Sequence, residues 1–244
     1  MSLLKIENVT KKYGDLTVIE DINIHLEKGE LVSLLGVSGA GKTTLFHVIS
    51  GLSAPDGGRV LLEDEDITAK PGRIAYMLQK DLLMQHKKVI DNVSLPLVLK
   101  GMSKADAREK AALFFEEFGL SGYEYSYPSD LSGGMRQRAA LLRTYLASEG
   151  TALLDEPFSA LDTITKSNIH KWYLDVMQHI DLSTLFITHD IDEAILLSDR
   201  IYILSGRPGR ITDEIVIDEP KPRADDFNLT EKFLEYKKLI ISKL

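Results

Sequence analysis

The sequence contains no cysteine among its 244 residues. Disulfide bonds and thiolate chemistry are therefore excluded, and a reducing compartment such as the cytosol suits the chain. An excess of positive charge is also lacking, because the formal net charge is −8. Domains that bind nucleic acid present basic faces to the phosphates, so this charge balance argues against a nucleic-acid partner.

Long apolar runs are absent as well. No uninterrupted apolar segment approaches the roughly 20 residues that a membrane-spanning helix requires. The opening residues, MSLLKIENVT, have no apolar segment behind a basic start and do not resemble a secretion signal. We expect the chain to lie in the cytoplasm and to serve any membrane process from outside the bilayer.

The apolar pattern predicts an α/β fold. Residues 22–26, INIHL, alternate apolar and polar side chains as a half-buried strand does, and the N-terminal part of the chain is predicted to be a β-subdomain. Residues 31–35, LVSLL, form an apolar run with Ser33 as its one small polar residue, as expected for a strand buried on both faces of a mostly parallel sheet. Four further apolar strands are predicted in RIAYMLQ, TALLDE, TLFITHD and RIYIL.

Helical patterns separate these strands, which implies a mostly parallel sheet. The patterns cover residues 105–118, 135–147 and 165–179. Residues 81–129 are mainly helical, so we predict an inserted helical subdomain that also includes the helix at 131–147. The C-terminal segment TEKFLEYKKLIISKL predicts an amphipathic helix with Thr230 as its N-cap.

Residues 36–43, GVSGAGKT, match the phosphate-loop (P-loop) pattern and lie between a predicted strand and a predicted helix. Glycines let backbone N–H groups close around phosphate oxygens, and the helix N-terminus adds positive potential. Lys42 is predicted to reach the β- and γ-phosphates of ATP, and Thr43 to hold Mg²⁺. The predicted nucleotide-binding residues of this segment are Gly36, Ser38, Gly39, Ala40, Gly41, Lys42, Thr43 and Thr44.

Polar side chains stand at the ends of three further predicted strands. Asp155 is predicted to hold Mg²⁺, and Glu156 to act as general base on the attacking water. Gln79 is predicted to sense the metal and the water, and His189 to donate to the γ-phosphate. Taken singly, Asp155 and Glu156 are also compatible with a solvated strand end. Gln79 and His189 are each compatible with a structural cap. Together the four residues indicate a catalytic site. Tyr13 is predicted to stack on adenine, with a half-exposed hairpin aromatic as the alternative.

A second glycine-rich segment, LSGGMRQR, occupies residues 131–138. Ser132, Gly133 and Gly134 are predicted to begin a helix whose N–H groups and dipole suit a γ-phosphate. Capping of the helix by Ser132 is the local alternative. If the P-loop alone holds the nucleotide, a second phosphate-binding segment is not needed.

The order of GVSGAGKTT, MLQ, LSGGMRQR, LLDEP, SALD and THD resembles that of the ATP-binding subunits of ABC transporters over nearly the whole chain. Met135 departs from the glutamine commonest in that family. The resemblance implies a P-loop NTPase core and a single ABC ATPase domain spanning residues 1–244. It further implies a head-to-tail homodimer in which each LSGG signature closes over the partner's ATP, with Ser159 and Asp162 at the interface.

The resemblance also implies a function. The chain is expected to hydrolyse ATP with Mg²⁺ and to power an importer from the cytoplasmic face of the membrane. A pair of permease subunits would carry the solute, delivered by a substrate-binding protein. The segment SGRPGRI at 205–211 is similar to that of importers for nitrate, sulfonate, taurine or thiamine-precursor pyrimidines.

Residues 80–101, which follow Gln79, are interpreted as the permease docking groove. Leu82, Leu83 and Met84 are either exposed there or buried within the helical subdomain. The main alternative function is a soluble ABC-type ATPase of DNA repair or translation. A nucleotide-binding regulator without turnover and an exporter subunit are less favoured.

Overall fold

Two β-sheets and a set of helices make up the computed structural model, which describes residues 2–159, 163–221, 223–224 and 226–244, without the side chains of residues 163–165 and 167. The strands are β1 (Ser2–Tyr13), β2 (Leu16–Glu27), β3 (Leu31–Leu35), β4 (Gly57–Leu62), β5 (Glu65–Asp66), β6 (Ala75–Met77), β7 (Thr151–Asp155), β8 (Ser183–Thr188), β9 (Arg200–Ser205) and β10 (Arg210–Val216). The helices are α1 (Lys42–Ile49), α2 (Val89–Val93), α3 (Leu95–Leu99), α4 (Lys104–Ala112), α5 (Gly133–Ala147), α6 (Thr163–His179), α7 (Ile191–Leu197) and α8 (Glu231–Ile241).

The smaller sheet is antiparallel, with strand order β2-β1-β4-β5. The larger sheet has the order β10-β9-β3-β8-β7-β6, and all its neighbouring strands are parallel except β10, which runs antiparallel to β9 at one edge. The α/β class, the mostly parallel sheet and the antiparallel N-terminal β-structure predicted from the sequence are confirmed.

Successive residues of the parallel strands face two different cores. In β7, Leu153 packs in a core with α1 and the antiparallel sheet, whereas Ala152 and Leu154 pack in a second core with α2, α4, α5 and α6. This follows from the two-residue period of a strand, and it explains why β3, β7 and β8 are buried at every position. As a result, α1 and α5 lie on opposite faces of the larger sheet.

Residues 81–130 contain helices and turns but no strand. The helix predicted over 105–118 spans a shorter range, because α4 ends at Ala112 and the chain continues in turns. In those turns the Phe114 and Phe115 N–H groups bond to carbonyls three residues back. Phe115 and Phe118 are nevertheless buried in the core, so the apolar period persists beyond the α-helix.

Helix α8 forms where the sequence predicts it, and its cap is the predicted one. The Thr230 hydroxyl accepts a hydrogen bond from the Phe233 N–H at 3.2 Å. Phe233 and Ile240 are buried in a third core that includes residues of α7 and β9. Among the described residues, no helix combines the length and the apolarity needed to cross a membrane.

Candidate active site

Strand β3 leads directly into the P-loop, and glycine is sterically required at two of the loop's positions. A Cβ at Gly36 would lie 2.3 Å from the Leu204 carbonyl oxygen. Gly41 has φ +100°, and a Cβ there would lie 2.5 Å from Cγ2 of Ile19. The close approach of β9 and β2 thus excludes any side chain at these two positions.

The start of α1 is suited to an anion. Gly41 is its N-cap and supplies no side-chain cap, and the first turn contains no acidic residue. The first N–H groups of the helix have no intrahelical acceptors, and they carry the positive end of the helix dipole. Thr43 is exposed at this point and Thr44 is half-buried. A phosphate group would satisfy these donors.

Lys42 lies within the P-loop. Its side chain is buried, and Nζ donates to the carbonyl oxygens of Gly36 at 2.7 Å and Val37 at 3.1 Å. Burial lowers the pKa of Lys42, an effect that the carboxylates of Glu156 and Asp155 oppose. The ammonium group is therefore partly desolvated and close to two acids, where a bound phosphate would experience its charge strongly.

Asp155 ends β7 at the same sheet edge as the P-loop. The Tyr76 hydroxyl donates to Oδ2 of Asp155 at 3.1 Å. Burial raises the pKa of Asp155, and the hydrogen bond from Tyr76 opposes this rise. Burial also raises the pKa of Tyr76, so its hydroxyl remains a donor at neutral pH. The Asp155 carboxylate and the Thr43 hydroxyl are oxygen ligands of the kind that Mg²⁺ accepts together with phosphate oxygens.

Glu156, Gln79 and His189 form one hydrogen-bonded group. Nε2 of Gln79 donates to Oε2 of Glu156 at 3.0 Å, and Nδ1 of His189 lies 3.1 Å from Oε1. Nε2 of Gln79 also lies 3.4 Å from the hydroxyl of Ser159. Three residues separated by as many as 110 positions in the chain thus meet at the ends of β6, β7 and β8.

The backbone of Glu156 has φ +46°, in the left-handed region that non-glycine residues rarely adopt. Its N–H bonds to the Ile187 carbonyl at 3.1 Å, which holds the strand end in place. Strain of this kind persists only where neighbouring contacts support it, and it is concentrated at functional sites. The turn directs the Glu156 carboxylate toward Gln79 and His189.

Tyr13 lies at the β1–β2 hairpin, paired with Leu16, and is 52% exposed. Nζ of Lys11 lies 5.3 Å from the centre of its ring. Two residues beyond Leu16, strand β2 reaches the P-loop, because Val18 and Ile19 both contact the Cβ position of Gly41. The exposed ring is therefore on the hairpin next to the phosphate site, as an adenine-stacking residue must be.

The signature segment lies apart from the other site residues within one chain. The Ser132 hydroxyl accepts from the Met135 N–H at 3.3 Å and caps α5. Ser132 and Gly133 are exposed, whereas Gly134 is buried. Helix α5 packs on the face of the sheet opposite α1, and the side-chain hydrogen bonds of Ser132 and Arg136 stay within the signature segment. Asp162, predicted to lie at the interface, is outside the described residues.

Two contributors escaped the sequence analysis. Tyr76 reaches Asp155 because β6 pairs with β7, a register that no local pattern encodes. Lys166 donates to Oδ2 of Asp190 at 2.6 Å and lies 2.8 Å from Glu193, while Asp190 caps α7 directly after His189. Lys166 therefore holds the start of α7 beside the candidate catalytic group. The lysine gave no sequence signal, because only the fold brings α6 next to α7.

The P-loop lies between the buried strand β3 and helix α1, and an acid stands at the end of β7, at the same edge of the sheet. This combination defines a P-loop NTPase. A family model described as "ABC transporter" matches residues 19–159. The chain belongs to the ABC transporter family, and it is an ATPase of that type.

Individual relatives agree with this assignment. The formylaminopyrimidine import ATP-binding protein ThiZ of Halalkalibacterium halodurans is 44% identical over 84% of this chain and 81% of its own length. The nitrate import ATP-binding protein NrtD of Synechocystis is 37% identical over 91% of this chain and 83% of its own length. A dimeric post-hydrolysis structure of the ATP-binding cassette MJ0796, bound to ADP and Pi, superposes with a TM-score of 0.74 at 28% identity, covering 89% of this chain and all of that one.

Proposed function

We propose that this protein is the ATP-hydrolysing subunit of an importer, working as a homodimer against a separate membrane permease. The observation that carries the proposal is the convergence of Gln79, Glu156 and His189 on one another, at the sheet edge that also holds Lys42 and Asp155. Relatives named as import ATP-binding proteins support the transport direction. They do not favour the alternative, an ATPase of DNA repair or translation.

The hydrolytic step assigns a role to each residue. Glu156 accepts the proton of the attacking water, since its carboxylate is held by Gln79 and His189. Gln79 orients that water, and His189 donates to the γ-phosphate. The loop N–H groups and Lys42 bind the phosphates. Tyr13 stacks on the adenine.

Magnesium would be held by Thr43, Asp155 and Gln79, where it would offset phosphate charge. Within the described residues no group of three or more His, Asp or Glu side chains is arranged as a metal site. This agrees with an ion bound through one carboxylate, a hydroxyl and the nucleotide's own oxygens.

Dimerisation explains the second glycine-rich segment. A head-to-tail pair would place Ser132, Gly133 and Gly134 of one chain over the nucleotide on the other. Among the described residues the Ser132 hydroxyl accepts a bond but donates none, so its proton is free for a phosphate oxygen. The N-terminus of α5 adds further donors and positive potential. The family resemblance of the SALD segment assigns Asp162 to the same interface.

The solute is proposed to be nitrate, a sulfonate, taurine or a thiamine-precursor pyrimidine. A substrate-binding protein would deliver it, and the ATPase would sit peripherally on the cytoplasmic face. Uptake of each labelled solute by a strain lacking this gene tests the proposal. Wild-type protein should restore uptake of one solute, and Lys42→Ala should not. Restoration of none would contradict the importer assignment.

The docking residue is Leu82 rather than Leu83. Leu83 is only 5% exposed and packs in the core, so the prediction that its side chain is exposed is wrong. Leu82 is 55% exposed, and Arg143 fixes the backbone there by donating to the carbonyls of Asp81 and Leu82. We therefore place Leu82 at the centre of the permease contact.

Leu82→Glu is expected to abolish co-purification with the permease while ATP hydrolysis by the isolated subunit stays near the wild-type rate. A carboxylate that loses water in an apolar interface without a partner costs several kcal/mol, on the order of the binding energy of a hot spot. Leu113→Glu is the matched control, because Leu113 is 76% exposed and lies outside residues 80–101. If both variants still bind permease, Leu82 is not at the contact.

A further inference from the structure

The connection between β9 and β10, residues 206–209, is anchored to strand β2. The Gly209 N–H donates to the Val18 carbonyl at 2.9 Å, and the Glu20 N–H donates to the Gly209 carbonyl at 2.9 Å. Arg210 also forms an ion pair with Glu20. We call residues 206–209 the β9–β10 turn. Its position is determined by backbone bonds to the strand that supports the P-loop.

The β9–β10 turn touches the P-loop itself. A Cβ at Gly209 would lie 2.1 Å from the Ala40 carbonyl oxygen, so the two backbones are in direct contact. A Cβ at Gly39 would lie 3.5 Å from a guanidinium nitrogen of Arg207. The Arg207 side chain therefore extends alongside Gly39 instead of into open solvent away from the site.

Arg207 has no protein partner among the described residues. No described carboxylate lies within ion-pair distance of its exposed guanidinium, and no described group hydrogen-bonds to it. Every other arginine among the residues that the structure describes has a hydrogen bond, an ion pair or a ring contact. The neighbouring arginines illustrate this, since Arg200 bonds Glu30 and Glu214, and Arg210 bonds Glu20. In a chain of net charge −8, an unpaired guanidinium next to a phosphate loop is well placed to bind an anionic group.

We propose that Arg207 is a nucleotide-binding residue that contacts the α- and β-phosphates of the nucleotide held by its own chain, an assignment that rests on the proposed ATPase site. Gly39 belongs to the part of a P-loop whose backbone cradles these phosphates. A guanidinium presents a fork of N–H donors that matches two phosphate oxygens at once. Lys42, by contrast, acts as a point charge nearer the β- and γ-phosphates.

The test compares ADP binding by three variants of the full chain in calorimetry. Arg207→Ala is expected to raise the Kd for ADP about tenfold, as the loss of one charge-assisted contact does. Arg210→Ala is the matched control, since it removes the same charge from the same hairpin while Arg210 faces Glu20, and its Kd should stay within about twofold of wild type. Arg207→Lys should recover part of the affinity, because it restores the charge without the fork. Adenosine, which has no phosphate, should bind equally to all forms.

Four results would overturn the proposal. The first is an ADP affinity of Arg207→Ala within twofold of wild type, and the second is an equal loss in both alanine variants. The third is a defect confined to ATP-dependent dimerisation, which would place Arg207 at the subunit interface instead. A lower unfolding temperature of ligand-free Arg207→Ala with weakened adenosine binding would likewise show a structural role. The importer assignment is tested separately by solute uptake, so the two failures are distinguishable.

Discussion

Replacing Glu156 with glutamine is expected to lower ATP turnover by about a hundredfold or more while ATP still binds. Glutamine has nearly the same size, and it can keep hydrogen bonds to Gln79 and His189 after small rotations. It cannot accept the proton that the attacking water must lose. Steady-state phosphate release measures the loss, and nucleotide binding to the purified variant measures what remains.

The variant is also expected to accumulate as an ATP-bound dimer, because the γ-phosphate that would join the subunits in the proposed dimer is no longer removed. Light scattering with and without ATP would detect this species. Glu149→Gln is a suitable control, since Glu149 is exposed and pairs with Lys100 at the surface. Phosphate release by Glu156→Gln at the wild-type rate would remove Glu156 from the role of general base.

Mixed dimers that combine a Lys42→Ala subunit with a Gly133→Asp subunit are expected to recover ATP hydrolysis at one site. If each signature serves the partner's nucleotide, both defects fall on the same site and the other site is intact. If each signature served its own nucleotide, each site would carry one defect. The rate should therefore exceed that of either mutant homodimer, measured on heterodimers purified through two different tags.

The structure supports this arrangement on geometric grounds. Helices α1 and α5 pack against opposite faces of the larger sheet, through alternate residues of strands such as β7. The N-terminus of α5 is exposed at Ser132 and Gly133. An exposed helix start of this kind, on the opposite side of the sheet from α1, is available to a nucleotide bound by a second chain.

Gly133 is the better site for the signature mutation, because Gly134 is buried and a side chain there would disturb packing. Gly133 is the first residue of α5, and a carboxylate in the first turn of a helix is tolerated or stabilising. The same carboxylate would repel a γ-phosphate. The variant should therefore fold normally and lose only the signature function.

A rearranged dimer provides the sharper control. When both mutations are placed on one subunit and paired with wild type, the arrangement across the interface leaves neither site intact, whereas the arrangement within one chain leaves one site intact. The two hypotheses thus predict opposite orders of activity for the two heterodimers. A higher rate in the double-mutant pairing would contradict the head-to-tail assignment.

The strand and helix positions were predictable where local chemistry is strong. Strands β3, β7, β8 and β9 carry mainly apolar runs because both of their faces are buried, and α1 follows the P-loop at the predicted place. The end of helix α4 at Ala112 was not predictable. Its apolar period continues through Phe115 and Phe118, and only the backbone hydrogen bonds show that the chain has changed to turns.

By itself the sequence determined the residue types of the site. The P-loop, the strand-end acids and the signature are each a short continuous segment, and the chemistry of each is visible in its own residues. The tertiary structure decided which of them meet. Gln79, Glu156 and His189 converge because parallel strands bring their carboxyl ends to one edge, and Tyr76 joins Asp155 through strand register. Contacts between segments far apart in the chain decide whether Leu82 or Leu83 faces solvent, and they place Arg207 beside Gly39. No local sequence pattern predicts such contacts.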